Sequence, residues 1–195
     1  MQQDLTNRVA ESEIATFDLE ALWDGGDVTT FDLAPFLVEG LMLKEKPFRE
    51  DMERHDWSQY EGRHVAVRCS TDAIVPTWAF MLVASKLDGA GAASVAGGTE
   101  EELVRDYFTR ALDAHDWSQY EDRPVVVKGC GAGIVPGSAY LHATQKLKKH
   151  ARKLMFGEAC SAVPLWRRPQ TERSPEKKAA GTKTVSADLP SPGAS

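Results

Sequence analysis

The sequence predicts an α/β fold: a three-layer sandwich around a mainly parallel sheet, built from a duplicated α-β-α-β unit and preceded by an N-terminal β-hairpin. Three observations predict it. The heptapeptide HDWSQYE occurs twice, at 55–61 and 115–121, a spacing of 60 residues. Helical and β-branched apolar runs follow one another in the same order around both copies. Two similar apolar segments flank the turn sequence Asp24-Gly25-Gly26-Asp27 near the start.

The elements follow in order. Segments IATFDLEAL and VTTFDLAPF, on either side of the Gly turn, read as the two strands of the hairpin and give the sheet an antiparallel N-terminal edge. An amphipathic helix comes next, with Leu43, Phe48 and Met52 on its apolar face; its counterpart carries Leu103, Tyr107, Phe108 and Leu112. HDWSQY closes each helix. The runs HVAVRC and PVVVKG then read as buried strands. Pro76 and Pro136 suit the first turn of the helices TWAFMLVASKL and GSAYLHATQKL. Short apolar runs at 94–98 and 154–158 end the units. Between 55–87 and 115–147, 16 of 33 positions are identical without a gap, and they include Trp, His and Pro, so low complexity does not produce the match. Strand–helix alternation implies right-handed crossovers and a parallel sheet.

The repeat covers about 43–98 and 103–158 within a single domain spanning 1–166. Residues 167–195 are rich in Pro, Ser and Lys and poor in large apolar groups, so a disordered tail is expected. That tail has six basic and three acidic residues, +3; the whole chain is −6, so residues 1–166 carry −9. An acidic body suits a phosphate backbone poorly, and nucleic acid is disfavoured as a partner. No apolar run approaches the roughly 20 residues that span a bilayer, and the first residues are polar, so no membrane contact and a cytoplasmic location are expected.

HDWSQY falls at the amino ends of the strands. Ligands of open parallel sheets bind at the carboxyl ends, so the motif is expected to be structural. Its histidines suit a helix C-terminus and its Trp and Tyr suit a half-wet corner. A His-Asp pair in acid–base work is the alternative.

The carboxyl edge carries the thiols. Cys69 follows HVAVR, Cys130 follows VVVKG, Cys160 follows LMFGEA, and a Val-Pro comes after each. Three convergent thiolates suit zinc or an iron–sulfur cluster, with Asp72, Glu158, His142 or water completing the shell. Three separately buried cysteines are the alternative. The Gly-rich stretch GCGAGIVPG at 129–137 follows a strand and opens a helix, where phosphates are cradled, yet it fits neither G-x-G-x-x-G nor the P-loop pattern. The basic run KLKKHARK at 146–153 is read as a solvated helix end rather than a docking patch.

The segments KPFRE, HDWSQY, DAIVPTWAFML, VKGC and FGEACSAVPL make the chain resemble the domain-of-unknown-function 2480 proteins, a small bacterial family, over roughly residues 5–166. The resemblance implies an association with iron–sulfur assembly proteins and favours joint action of Cys69, Cys130 and Cys160. The expected function is therefore an accessory metal-binding, iron–sulfur-related or thiol protein rather than a turnover enzyme. The alternatives are a non-catalytic interaction scaffold and an enzyme binding a phosphorylated ligand at 129–137.

Overall fold

The computed structural model describes residues 14–129, 131, 133–158 and 161–169. Among them lie seven strands and four α-helices: β1 (Ala15–Asp18), β2 (Val28–Asp32), α1 (Glu45–Arg54), β3 (His64–Arg68), α2 (Thr77–Gly89), β4 (Ser94–Gly97), α3 (Glu100–Ala114), β5 (Pro124–Lys128), α4 (Gly137–His150), β6 (Lys153–Phe156) and β7 (Val163–Arg167). The fold is mixed α/β with mainly parallel strands, but the strands form two sheets. One runs β2-β3-β4, all parallel; the other runs β1-β5-β6-β7, parallel except for β7.

The expected N-terminal hairpin does not form. Phe17 of β1 aligns with Val127, and Phe31 of β2 aligns with Val67, so each strand joins a different sheet and lies parallel to its partner. The cause is in the shared TFDL. Each Phe needs an aromatic pocket, and each HDWSQY corner offers one. Phe17 meets His115, Trp117 and Tyr120; Phe31 meets His55, Trp57 and Tyr60. A hairpin would serve neither. The antiparallel edge is instead β7, at the other end of the chain.

Alternation along β3 shows how the core is divided. Val65 and Val67 face α1 and α2 with Phe48, Met52, Val83 and Leu87, whereas Ala66 faces a second cluster with Leu103 and Val104 of α3. The same second cluster takes Val125 and Val127 of β5, and Ala143 and Leu147 of α4. Helix α3 therefore serves both sheets. It starts at a capping box, in which Thr99 and Glu102 satisfy each other's backbone N–H.

The two halves stay in the 60-residue register through α2 and α4, then slip by one residue. Gly98 N–H bonds to Val67 O, and Gly157 N–H bonds to Val127 O, a separation of 59. The shorter second turn keeps Leu154, like Val95, on the core face. No helix is long and apolar enough to cross a membrane among the described residues. Of the expected tail, Arg167 ends β7 and Arg168 N–H bonds to Arg152 O; residues 170–195 lie outside the described residues.

Candidate functional site

HDWSQY is a corner, and its bonds are the same in both copies. The indole N–H donates to Met52 O (2.8 Å) from Trp57 and to Leu112 O (3.1 Å) from Trp117. Asp56 and Asp116 accept the N–H and hydroxyl of Ser58 and Ser118; these donors hold both carboxyls below the usual range. Gln59 and Gln119 donate to the carbonyls of Asp56 and Asp116. Nearly every polar group is used locally, which suits a fastening rather than a reaction.

The carboxyl ends of the parallel strands are the edges where chemistry is expected. In the β1-β5-β6 sheet, Asp18 accepts Glu20 N–H at 3.0 Å, and Lys128 pairs with Glu158 at 3.2 Å. Tyr140 hydroxyl donates to Gly129 O. Gly129 has φ +141°, and a Cβ there would stand 2.9 Å from Leu19 Cβ, so this turn requires glycine. A Cβ on Gly131 would be 3.2 Å from the Glu20 carboxylate, a neighbour that opposes a phosphate at this loop.

In the β2-β3-β4 sheet, Asp32 accepts N–H from Ala34 (3.0 Å) and Ser70 (2.9 Å). Burial pushes its carboxyl up, but those donors and Arg68 outweigh it, and the net direction is down. Cys69 is half-buried with its Sγ 3.3 Å from Thr71 Oγ1.

The expected metal ligands scatter. Cys69 belongs to one sheet edge, while Glu158 lies at the edge of the other, paired with Lys128. His142 Nε2 is 3.1 Å from Asp113 of α3, and Lys146 reaches the same oxygen at 2.7 Å. Asp72 is exposed in the loop after β3. Cys130 and Cys160 lie outside the described residues. Among the described residues no three His, Cys, Asp or Glu are placed to hold a metal ion. The basic run is likewise engaged: Lys146 with Asp113, Lys148 over the Trp166 ring, His150 with Glu121.

A further constellation escaped the sequence reading. His64 is fully buried, with Nε2 2.8 Å from Asp24 Oδ1 and Nδ1 2.7 Å from Ser94 Oγ. Burial pushes the Asp24 carboxyl up, but Gly26 N–H and His64 bring it below the usual range, so Asp24 is an acceptor. Nε2 therefore donates to Asp24, and Nδ1 and the Ser94 hydroxyl share the second hydrogen bond. Trp23 and Tyr107 enclose the imidazole at 4.6 and 5.2 Å between centroids. Carboxylate, imidazole and hydroxyl stand in the order of an activated serine. Yet the imidazole has no exposure, and the group sits at the amino ends of β3 and β4, away from the ligand edge. It works as a lock that fastens the β1–β2 connection to β3 and β4. Partners 30 and 40 residues from His64 leave no local signature; the one trace is Gly26, where a Cβ would come within 2.6 Å of His64 Nε2.

A family model described as Protein of unknown function (DUF2480) matches residues 3–168. No curated protein and no solved structure matches the chain.

Proposed function

We propose that this chain, which belongs to the DUF2480 family, is an accessory protein that holds a metal ion through Cys130 and Cys160. The observation that carries the reading is the pairing of β5 with β6. Parallel neighbours end at one edge, and Cys130 follows β5 by two residues while Cys160 follows β6 by four. The first half supports this reading. In sequence Ser70 matches Cys130 at the 60-residue spacing, and Glu101 matches Cys160 at the 59-residue spacing that follows the slip. Ser70 N–H is held by Asp32, and Glu101 lines the same cleft as Asp32. Two thiolates with carboxylate oxygen from Glu20 or Glu158 suit zinc. An iron–sulfur cluster prefers four thiolates and would draw further ligands from a partner such as an iron–sulfur assembly protein. Cys69, on the other sheet, is left out of the pair, and so are Asp72 and His142. A cytoplasmic setting keeps such thiols reduced. We also read the two halves as a duplicated unit, on the strength of their matching corner bonds.

Metal analysis of anaerobically purified, zinc-reconstituted protein tests the site. Wild type and Cys69→Ser are expected to retain the metal, and Cys130→Ser and Cys160→Ser to lose it. Metal-free wild type, or retention in both of the latter variants, overturns the assignment.

A further inference from the structure

Two adjoining clefts lie along β2 beside the start of α3. One, of about 370 Å³, is lined by Thr30, Asp32, Arg68, Thr99, Glu100 and Glu101. The other, of about 360 Å³, shares Glu100 and Glu101 but is otherwise apolar, with Val28, Val104, Ile134 and Pro136. Arg68 is the anomaly. Its Nε is buried and has no hydrogen-bond partner. A buried guanidinium N–H left unpaired costs free energy, so such a group marks a place where an acceptor belongs. The equivalent residue in the other half, Lys128, is neutralised by Glu158; the position matching Glu158 beside Arg68 is Thr99, which caps α3 instead.

No carboxylate of the polar cleft hydrogen-bonds to Arg68 Nε. Asp32 Oδ1 is taken by Ala34 and Ser70 N–H, and Glu100 accepts from Thr30 at 2.9 Å. The cleft thus combines a guanidinium whose Nε lacks an acceptor, a surplus of negative charge and an aliphatic wall. An inorganic anion would meet repulsion from three carboxylates, and a simple amine would leave Arg68 Nε without an acceptor. We propose that these two clefts together bind a free α-amino acid with an aliphatic side chain. Its carboxylate bonds to Arg68, its ammonium lies between Glu100 and Glu101, and its side chain rests on Val28, Val104 and Ile134. No described thiol lines either cleft.

Calorimetric titration of the full chain with leucine, isoamylamine and isocaproate tests it. The two analogues lack one charged end each. Leucine is expected to bind saturably, with each analogue and the Arg68→Ala variant weaker by about tenfold or more. Glu101→Gln, at an exposed position, is expected to weaken leucine similarly and serves if Arg68→Ala fails to fold. No leucine binding at about 10 mM, or isoamylamine binding as tightly as leucine, overturns the proposal.

Discussion

In the first half, Phe31 lies 5.3 Å from Trp57 with the rings 11° from parallel; in the second, Phe17 lies 5.1 Å from Trp117 at 61°. The two corners hold their phenylalanine in different tilts, yet each brings its His, Trp and Tyr to the ring. What is shared is a socket rather than one ring geometry, and the socket fixes which strand joins which sheet. The halves part company around this frame. His64 with its buried hydrogen bonds stands where the second half has Pro124, Arg68 has a buried Nε without an acceptor where Lys128 is paired with Glu158, and Gly62 stands where the second half has Asp122. The comparison teaches that residues kept in both halves carry the shared architecture, and that positions kept in only one carry contacts particular to that half.

The largest effect tests the socket itself. Phe17→Ala and Phe31→Ala should each cost about 3–5 kcal/mol, the range for a buried phenylalanine, in urea unfolding. A cost confined to Phe31→Ala would break the equivalence, because β1 would then not depend on the second corner.

An intermediate effect concerns the strand ends. Among the described residues Asp32 accepts two backbone N–H groups and Asp18 one, so Asp32→Asn should cost about 1 kcal/mol and more than Asp18→Asn. The carboxyls of Asp32 and Asp24 are held below their unfolded values. Their contribution is therefore fully present above about pH 4 and is lost as acidification passes through the lower folded values. Stability measured from pH 7 downward should fall less steeply in Asp32→Asn than in wild type. Parallel curves would assign the acid sensitivity elsewhere.

The smallest effect sharpens the comparison at a turn. Gly62 and Asp122 occupy the same left-handed conformation, φ +68° and +51°, and each N–H bonds to a carbonyl before the next strand. Glycine adopts that conformation without strain and aspartate does not. Asp122→Gly should stabilise the protein by a few tenths to about 1 kcal/mol, and Gly62→Asp should do the reverse, read as thermal midpoints.

Much of the architecture was legible. The β-branched runs of β3 and β5, the helices after Pro76 and Pro136, and the parallel sense of the central strands follow from periodicity and from the repeat. The pairing of β1 and β2 is masked by DGGD, a strong local turn signal, whereas TFDL at 16–19 and 30–33 speaks of long-range sockets. That second signal is visible in the sequence and outweighs the first once each Phe is given an aromatic partner. The slip before β4 and β6 was hidden because a gapless match is blind to which side of a strand faces the core. The site was less legible. Cys69, Asp72, His142 and Glu158 look alike as possible ligands in one dimension, and only the division into two sheets separates them.

The crossed placement of β1 has a bearing on how the chain is made. Ala15 aligns with Val125, 110 positions later, while β2, β3 and β4 are complete within the first hundred residues. On the ribosome the earliest strand must wait, unpaired, while a later-starting sheet closes ahead of it, and long-range pairing of this kind is slow. Cutting the chain midway would give one fragment with a spare strand and another with a vacant edge, so the two pieces are expected to rejoin when mixed rather than to behave as independent domains.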